Sequence, residues 1–219
     1  MAEDIPGMML NDELRKIARW YGIAEGELIH YAAEDTLLGG KEGNPVGTSY
    51  AVDGHLLYAL VRYCKPERIL EIGTDHGGSA KHMAAACQRN GKGHVTTVDN
   101  NPESGDGLTE GDSEWITQEI ADAALWIPRY EGPPFDFIFE DGSHSEFLCH
   151  LVYFNLPRIL RVGGFILSHD VAVGVRRAVL AGIKKGGVDM EHLHFITPDP
   201  SPLGFSIYQY TQEAYEVAK

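Results

Sequence analysis

Two pairs of ionisable side chains, Asp141 with His144 and His169 with Asp170, each follow a short apolar segment typical of a buried strand. If these strands are parallel, both pairs lie at the same edge of the sheet, where ligands bind. Asp141, His169 and Asp170 then form a candidate metal site, completed by water or substrate oxygens. An imidazole ligand favours manganese, iron or zinc over magnesium, which remains a candidate. Alternatively, Asp170 only caps the helix after it, and His169 packs beside it.

The same residues could also move protons. Because an imidazole ordinarily titrates near ~6.5, His144 is a candidate base that accepts a hydroxyl proton near neutral pH. Asp141, three residues earlier, is the second candidate catalytic residue. The structural alternative is that His144 hydrogen-bonds a backbone carbonyl.

A glycine turn indicates a second, ligand-binding function. The segment from Glu71 through Gly73 and Gly77 to Ser79 runs from a strand-end acid into a predicted helix, and Asp99 ends the next strand. Glycines let the backbone approach a ligand closely, and a strand-end acid at the position of Asp99 can bind a ribose diol. The alternative is that Glu71 and Asp99 only cap loops.

The ligand that this turn fits best is S-adenosylmethionine rather than NAD. The GxGxxG spacing of NAD sites is absent. A pyrophosphate favours a helix N-terminus with no carboxylate beside it. Glu71 would repel a pyrophosphate but attract a cationic sulfonium.

Strands and helices alternate along most of the chain, which predicts an α/β fold. We expect a Rossmann-like, mostly parallel sheet flanked by helices, with a terminal antiparallel strand pair and an N-terminal helical extension. The predicted strands are 68–72, 94–98, 135–139, 165–168, 192–197 and 205–210. The predicted helices are 10–21, 24–36, 56–63, 79–88, 114–125, 147–160 and 171–185. The stretch 100–134 is too short for a helix, a strand and another helix, so one element there is expected to be missing or reduced.

The domain organisation follows from a Gly-rich stretch at 39–45. Residues 1–47 are predicted to form the helical extension, which would serve as a lid, an oligomer contact or a cover for the sheet. Residues 48–219 form the ligand-binding domain. The amphipathic extension makes a homodimer a reasonable expectation.

Composition excludes several classes of function. The net charge is −14, and basic residues occur only in short pairs, so neither a nucleic acid nor an anionic membrane is an expected partner. The apolar runs are too short to cross a bilayer, and the N-terminus lacks a signal-peptide pattern. Three scattered cysteines, with no CxxC spacing, argue against disulfides and structural zinc–thiolate sites. We therefore expect a cytoplasmic protein.

The motifs resemble those of known methyltransferases. The pattern from Glu71 to Ser79 resembles the first motif of the catechol and caffeoyl-CoA O-methyltransferases, a branch of the class I enzymes. Residues 49–57 resemble the segment that precedes that motif there. Residues 135–144, 160–165, 169–170 and 174–178 are similar to the type 24 small-molecule methyltransferases. The resemblance covers roughly residues 48–210.

This resemblance implies that Ser49, Glu71, Gly73, Ser79 and Asp99 contact the cofactor, and the turn adds Gly77 to these binding residues. In the catechol branch, Asp, Asp and Asn hold a divalent metal at the positions that match the metal site predicted above. In this chain the second pair is His169-Asp170 instead of Asp-Asn, and His144 stands where the catechol branch has its lysine base. The nature of the metal is therefore open.

The expected function is methyl transfer from S-adenosylmethionine to a small molecule, most simply to a hydroxyl oxygen, with metal assistance as an option. Nitrogen acceptors stay open. Because one fold serves many functions, the alternatives are a non-catalytic regulatory or scaffold protein that binds the cofactor, and a relative with different chemistry.

Overall fold

The computed structural model describes residues 11–39, 51–171, 173–187, 193–196 and 204–211. Its helices are α1 (Asn11–Tyr21), α2 (Glu25–Gly39), α3 (Ala51–Cys64), α4 (Gly78–Asn90), α5 (Ala123–Arg129), α6 (Glu146–Ile159) and α7 (Val173–Lys185). Its strands are β1 (Arg68–Ile72), β2 (His94–Asp99), β3 (Ile116–Ile120), β4 (Phe135–Glu140), β5 (Leu160–His169), β6 (Leu193–Ile196) and β7 (Phe205–Gln209). A short 3-10 helix spans Glu110–Glu114.

The strands form one sheet in the order β3-β2-β1-β4-β5-β7-β6. Strands β1 to β5 are parallel, whereas β7 runs antiparallel between β5 and β6. The chain moves outward from β1 through β2 and β3 and then returns to β4 on the other side of β1. In such sheets, ligands bind at this switch point, beyond the carboxyl ends of β1 and β4. The predicted mostly parallel sheet with a terminal antiparallel pair is confirmed.

Two helical layers cover the sheet because alternate residues of each strand point to opposite faces. In β1, Ile69 packs in the layer that contains α1 to α4, and Leu70 packs in the layer that contains α5 to α7. In β4, Phe137 and Ile138 divide in the same way. All four side chains are fully buried. The sheet therefore has an apolar core on each side, as parallel sheets require.

The first two helices belong to the first of these layers. Leu14 and Leu28 are fully buried, and the Tyr21 hydroxyl donates a hydrogen bond to the Ile207 carbonyl at 3.0 Å. Trp20 stacks on His194 of β6 with the ring centroids 4.3 Å apart. These helices thus cover the sheet. Residues 1–10 and 40–50 lie outside the described residues, so the domain boundary at residue 47 stays a prediction.

The predicted helix at 114–125 is wrong. Residues Ile116–Ile120 form β3 and pair in parallel with β2, and the helix α5 begins only at Ala123. As an edge strand, β3 is polar and largely exposed, so it lacks the apolar alternation of a strand with one buried face. Its β-branched residues, among them Thr117, suit an extended backbone. The element between β2 and β3 is reduced to the 3-10 helix. This agrees with the expectation that one element within residues 100–134 is missing or reduced.

Among the described residues, no helix combines the length and the apolar character that a membrane span needs.

Candidate functional site

A cavity of about 430 Å³ opens at the switch point between β1 and β4. The turns after β1, β2, β3 and β4 line it. The residues that line the cavity include Gly73, Thr74, Asp75, Ser79, Asp99, Asn100, Asp122, Asp141, Gly142, Ser143 and His144. Because all four turns follow parallel strands, the sheet itself brings these distant segments together.

The turn after β1 needs glycine for steric reasons. Gly73 has a φ of +94°, and a Cβ atom there would lie 2.2 Å from the main-chain oxygen of Asp141. Gly77, which precedes α4, has a φ of +86°, and its Cβ would lie 2.6 Å from the side chain of Leu108. Gly73 faces main chain and therefore excludes larger residues, whereas at Gly77 a larger residue would strain the backbone and displace the Leu108 side chain. Gly73 lets the turns after β1 and β4 come into direct contact.

The acid near the end of β1, Glu71, is fully buried and does not line the cavity. The Ser79 hydroxyl donates a hydrogen bond to Glu71 Oε1 at 2.5 Å, while Glu71 Oε2 has no hydrogen-bond partner. Burial raises the pKa of Glu71 to about 8. The Ser79 and Thr97 hydrogen bonds oppose that shift, and the charges of Asp141 and Asp99 add to it. A cation bound above Ser79 would therefore stabilise the ionised form of Glu71.

Asp99 holds the shape of the same turn. Its Oδ2 accepts hydrogen bonds from the amides of Thr74 at 2.8 Å and Asp75 at 3.2 Å, and its Oδ1 accepts one from the Asn101 amide at 2.8 Å. A carboxylate has about four acceptor positions. One position therefore remains for a ligand hydroxyl, so Asp99 can shape the loop and bind a ribose at once.

At the other end of the cavity, four side chains form what we call the reaction cluster: Asp141, His144, His169 and Asp170. His169 Nδ1 lies 3.1 Å from Asp141 Oδ1 and 3.2 Å from Asp170 Oδ1. His144 Nε2 lies 3.6 Å from Asp141 Oδ1 and 3.6 Å from Asp170 Oδ2. The structure thus brings together the predicted metal ligands and the predicted base.

A buried carboxylate orients His169 from behind. Asp53 of α3 is 1% exposed, and its Oδ2 lies 3.1 Å from His169 Nε2, within hydrogen-bond distance. Burial alone would lower the pKa of His169, but its contacts with Asp141 and Asp53 raise that pKa to about 10. In the absence of another cation, a proton on the imidazole therefore balances these carboxylates.

Backbone strain marks the same region. His144 and Asp170 have φ values of +48° and +51°, in the left-handed region that residues other than glycine seldom adopt. Asp75, in the turn after β1, has a φ of +45°. Such strain is typical of ligand-binding and active sites, where the surrounding structure enforces it.

The reaction cluster fits a divalent metal ion. One ligand atom each from Asp141, His144 and His169 lies within 4.8 Å of the others. His169 Nδ1 is buried and makes no hydrogen bond, although two carboxylates flank it. The Asp53 contact resembles the carboxylate–histidine pairs that support metal-bound imidazoles in proteins. The donor set is therefore suited to a transition metal such as manganese, iron or zinc.

The predicted site residues occupy three kinds of position. Five line the cavity: Gly73, Ser79, Asp99, Asp141 and His144. Two, Glu71 in β1 and Gly77 in the turn after it, lie beside the cavity residue Ser79 or precede it without lining the cavity themselves, and two, His169 and Asp170, adjoin His144 without lining the cavity. The remaining one, Ser49, lies outside the described residues.

Sequence reasoning missed two residues of the site. Asp53 belongs to the segment 49–57, which resembles the one before the first methyltransferase motif, but it was not assigned a role. No local sequence pattern links it to His169, which is 116 residues away. Asp122 follows β3, lines the cavity and accepts a hydrogen bond from the Ala124 amide at 2.8 Å. As an acid at a strand end, it could have been found if β3 had been recognised as a strand.

Comparisons with known proteins agree with this architecture. Residues 70–171 match the family model described as a methyltransferase domain. A search of curated proteins finds no significant match. Many solved structures share the fold.

Several of these structures have a bound cofactor or its product, and three of them illustrate the likeness. A Podospora anserina methyltransferase bound to S-adenosylhomocysteine has 15% identity and a TM-score of 0.61, over 97% of this chain and 100% of that one. The Streptomyces achromogenes O-methyltransferase of tomaymycin synthesis, in complex with S-adenosylmethionine, has 19% identity and a TM-score of 0.60, over 93% and 100%. A Bacillus cereus O-methyltransferase with S-adenosylhomocysteine has 17% identity and a TM-score of 0.56, over 92% and 97%.

Proposed function

We propose that this chain is an S-adenosylmethionine-dependent methyltransferase that methylates a hydroxyl oxygen of a small molecule; its match to a methyltransferase domain and its fold support the proposal. One observation carries the proposal. Asp141 and His144 line the same cavity as Ser79 and Asp99, so acid–base groups lie beside the region suited to the cofactor. A binding protein without catalysis would have no need of such groups.

The cofactor is expected to lie with its ribose near Asp99 and its sulfonium toward Asp141. The acidic surroundings suit a cation, because Asp99 and Asp141 lie near the turn after β1 and a bound cation would favour ionisation of the buried Glu71. Negative side chains near a sulfonium stabilise its positive charge. The neutral sulfur of the product is held less firmly, which favours its release.

In the reaction, the acceptor oxygen attacks the methyl carbon, the carbon–sulfur bond breaks, and its electron pair remains on sulfur. The hydroxyl proton passes to His144 Nε2. Asp141 and Asp170, each 3.6 Å from that nitrogen, stabilise the imidazolium that forms. Holding oxygen, carbon and sulfur in line supplies much of the rate enhancement, since a displacement depends on alignment.

A divalent metal would assist this chemistry, and we propose Asp141, His169 and Asp170 as its ligands. A bound metal ion lowers the pKa of an oxygen that it coordinates. Asp53 would fix the ring of His169 through Nε2 and leave Nδ1 directed at Asp141 and Asp170.

The test is a methyl-transfer assay with purified protein, S-adenosylmethionine and a panel of phenols, catechols, sugars and amines. Formation of S-adenosylhomocysteine that depends on a hydroxyl compound, with the matching methyl ether found by mass spectrometry, is the expected result. Methylation of amines alone would contradict the oxygen assignment. Full activity in excess chelator, with no metal by elemental analysis, would refute the metal proposal and leave His144 as the base.

A further inference from the structure

A second group of side chains with the chemistry to hold a metal ion lies away from the cavity. It consists of Asp35 of α2, His55 of α3 and His82 of α4, which we call the helical cluster. None of the three lines the cavity described above. The proposed methyl transfer therefore gives them no role.

The geometry of the helical cluster is compact. Asp35 Oδ2 lies 2.5 Å from His55 Nδ1 and 2.8 Å from His82 Nδ1. One ligand atom from each residue lies within 4.8 Å of the others. The two imidazole rings are nearly perpendicular, at 86°, with centroids 5.9 Å apart. Two imidazole nitrogens thus approach one carboxylate oxygen from different directions.

Neighbouring residues hold these side chains in place. Asp35 is 4% exposed, and the His55 and His82 side chains are 15% and 18% exposed. The His82 ring packs against Gly54, where a Cβ atom would lie 2.4 Å from Nε2. The acid next to Asp35, Glu34, instead pairs with Arg62 at 3.0 Å. Asp35 therefore faces two imidazoles, while the nearby arginine is engaged elsewhere.

We propose that Asp35, His55 and His82 bind a divalent transition-metal ion, such as zinc, that ties α2 to α3 and α4. Two imidazoles and one carboxylate suit zinc and its neighbours, whereas magnesium and calcium prefer oxygen ligands. Tetrahedral ligands at ~2.0–2.2 Å from zinc lie roughly 3.3 Å apart, so small side-chain rotations would admit the ion. The ion would replace the hydrogen-bond contacts that Asp35 now makes with the two imidazoles.

The site would also act on the reaction cluster through α3. Asp53, which supports His169, and His55 lie two residues apart at the start of that helix. An ion at His55 would hold the first turn of α3 in place and therefore keep Asp53 in register. The bound ion would affect only the position of Asp53. The proposal that the helical cluster binds a metal holds whether or not the protein transfers methyl groups.

The experiment must separate the helical cluster from the reaction cluster, which can bind metal too. In an Asp141→Asn/His169→Gln background, which removes two of the three proposed ligands of the reaction cluster, calorimetry should find one equivalent of zinc bound with a Kd that is roughly micromolar or tighter, as for other protein zinc sites. Adding Asp35→Asn or His82→Gln should weaken zinc binding by ~100-fold or more, because each removes a direct ligand. Loss of a residue that only hydrogen-bonds a ligand typically costs about 10–100-fold. The matched control His94→Gln, at the start of β2, should leave the affinity unchanged.

Circular dichroism and thermal melting of each variant show whether it is folded. Zinc at about 100 times its Kd should raise the folding equilibrium constant of the background protein by about 100-fold, and this gain should vanish with Asp35→Asn. No zinc binding by the folded background protein would refute the proposal. So would equal binding after Asp35→Asn, or an equal loss with His94→Gln.

A second measurement needs no variant and therefore stands even if the variants fail to fold. Crystals of the unmodified protein are soaked in zinc, and anomalous diffraction locates the ion. A peak at ~2.0–2.2 Å from side-chain atoms of Asp35, His55 and His82 would support the proposal. Zinc at the reaction cluster alone, or at neither cluster, would overturn it.

Discussion

The two halves of the cavity are built in different ways. The cofactor half, formed by the turn after β1 together with Asp99, depends on contacts to main-chain atoms at the ends of neighbouring buried strands. The reaction cluster joins Asp141 to His169, from two different strand ends, and depends on Asp53 from a helix that precedes the sheet. The first half is fixed by contacts that involve the main chain of its turns, and the second by contacts between side chains.

This difference implies different responses to mutation. Changes in the cofactor half should alter folding and binding together, because the same bonds do both. Changes in the reaction cluster should alter turnover while binding persists. The predictions below test this division, in order of expected effect.

The largest effect is expected from Gly73→Ala. The new Cβ would collide with the Asp141 main chain in a left-handed backbone conformation. Strain and steric overlap each cost ~1–3 kcal/mol, so the free energy of unfolding should fall by about 2–6 kcal/mol. Denaturant unfolding measures this change. The matched control is Gly91→Ala, which has a φ of +67° but nothing within 4 Å, and which should lose only about 1–2 kcal/mol. Equal losses would contradict the steric argument.

The second effect is on turnover, for His144→Gln. General-base catalysis contributes ~10²–10⁴-fold, so kcat should fall by at least about 100-fold, while the Kd of S-adenosylhomocysteine stays nearly unchanged. His150→Gln, in α6 and stacked on Phe154, is the control and should keep full activity. A stable, fully active His144→Gln enzyme would refute the assignment of the base.

Asp99→Ala should weaken binding of S-adenosylhomocysteine by about 1–3 kcal/mol, the value of a charge-assisted hydrogen bond. Calorimetry measures this change. Because Asp99 also holds the amides of Thr74, Asp75 and Asn101, melting of the ligand-free protein reports its structural share. An analogue without ribose hydroxyls separates the two roles. If Asp99 binds the ribose, the loss of affinity on going from S-adenosylhomocysteine to this analogue should be much smaller in the variant than in the unmodified protein. Equal discrimination would make Asp99 purely structural.

The smallest effect is on the pH dependence of stability, for Glu71→Gln. Because the pKa of Glu71 is raised from 4.5 to about 8, the folded protein keeps a proton that the unfolded chain loses between these pH values. The unmodified protein should therefore lose stability from this group as the pH rises from 4.5 to 8. Melting scans should find little difference between the two proteins at pH 4.5 and a growing advantage of Glu71→Gln up to pH 8. A constant difference would mean that Glu71 is ionised throughout.

The same contrast explains what the sequence could predict. The glycine turn and the acid at the end of β2 are local patterns, and the structure places Gly73, Ser79 and Asp99 at the cavity as expected. The convergence of Asp141 with His169 followed from the rule that parallel strands share a carboxyl edge. Apart from the polar edge strand β3, the strands were found because their buried residues are strongly apolar.

The rest depended on contacts that no local pattern carries. Asp53 sits in the first turn of a helix, where an acid would ordinarily be taken for a favourable charge near the helix N-terminus. The helical cluster unites residues from three helices, and its histidines are 27 positions apart in the sequence. Such sites become visible only when the packing of the helices is known.

The most direct test of the account is a crystal structure of the protein with S-adenosylhomocysteine. We predict that the ribose hydroxyls lie within hydrogen-bond distance of Asp99 and that the sulfur faces Asp141 and His144. Binding in this orientation would leave the space beside the reaction cluster for the acceptor. A nucleoside bound elsewhere, or a sulfur directed away from Asp141 and His144, would contradict the proposed site.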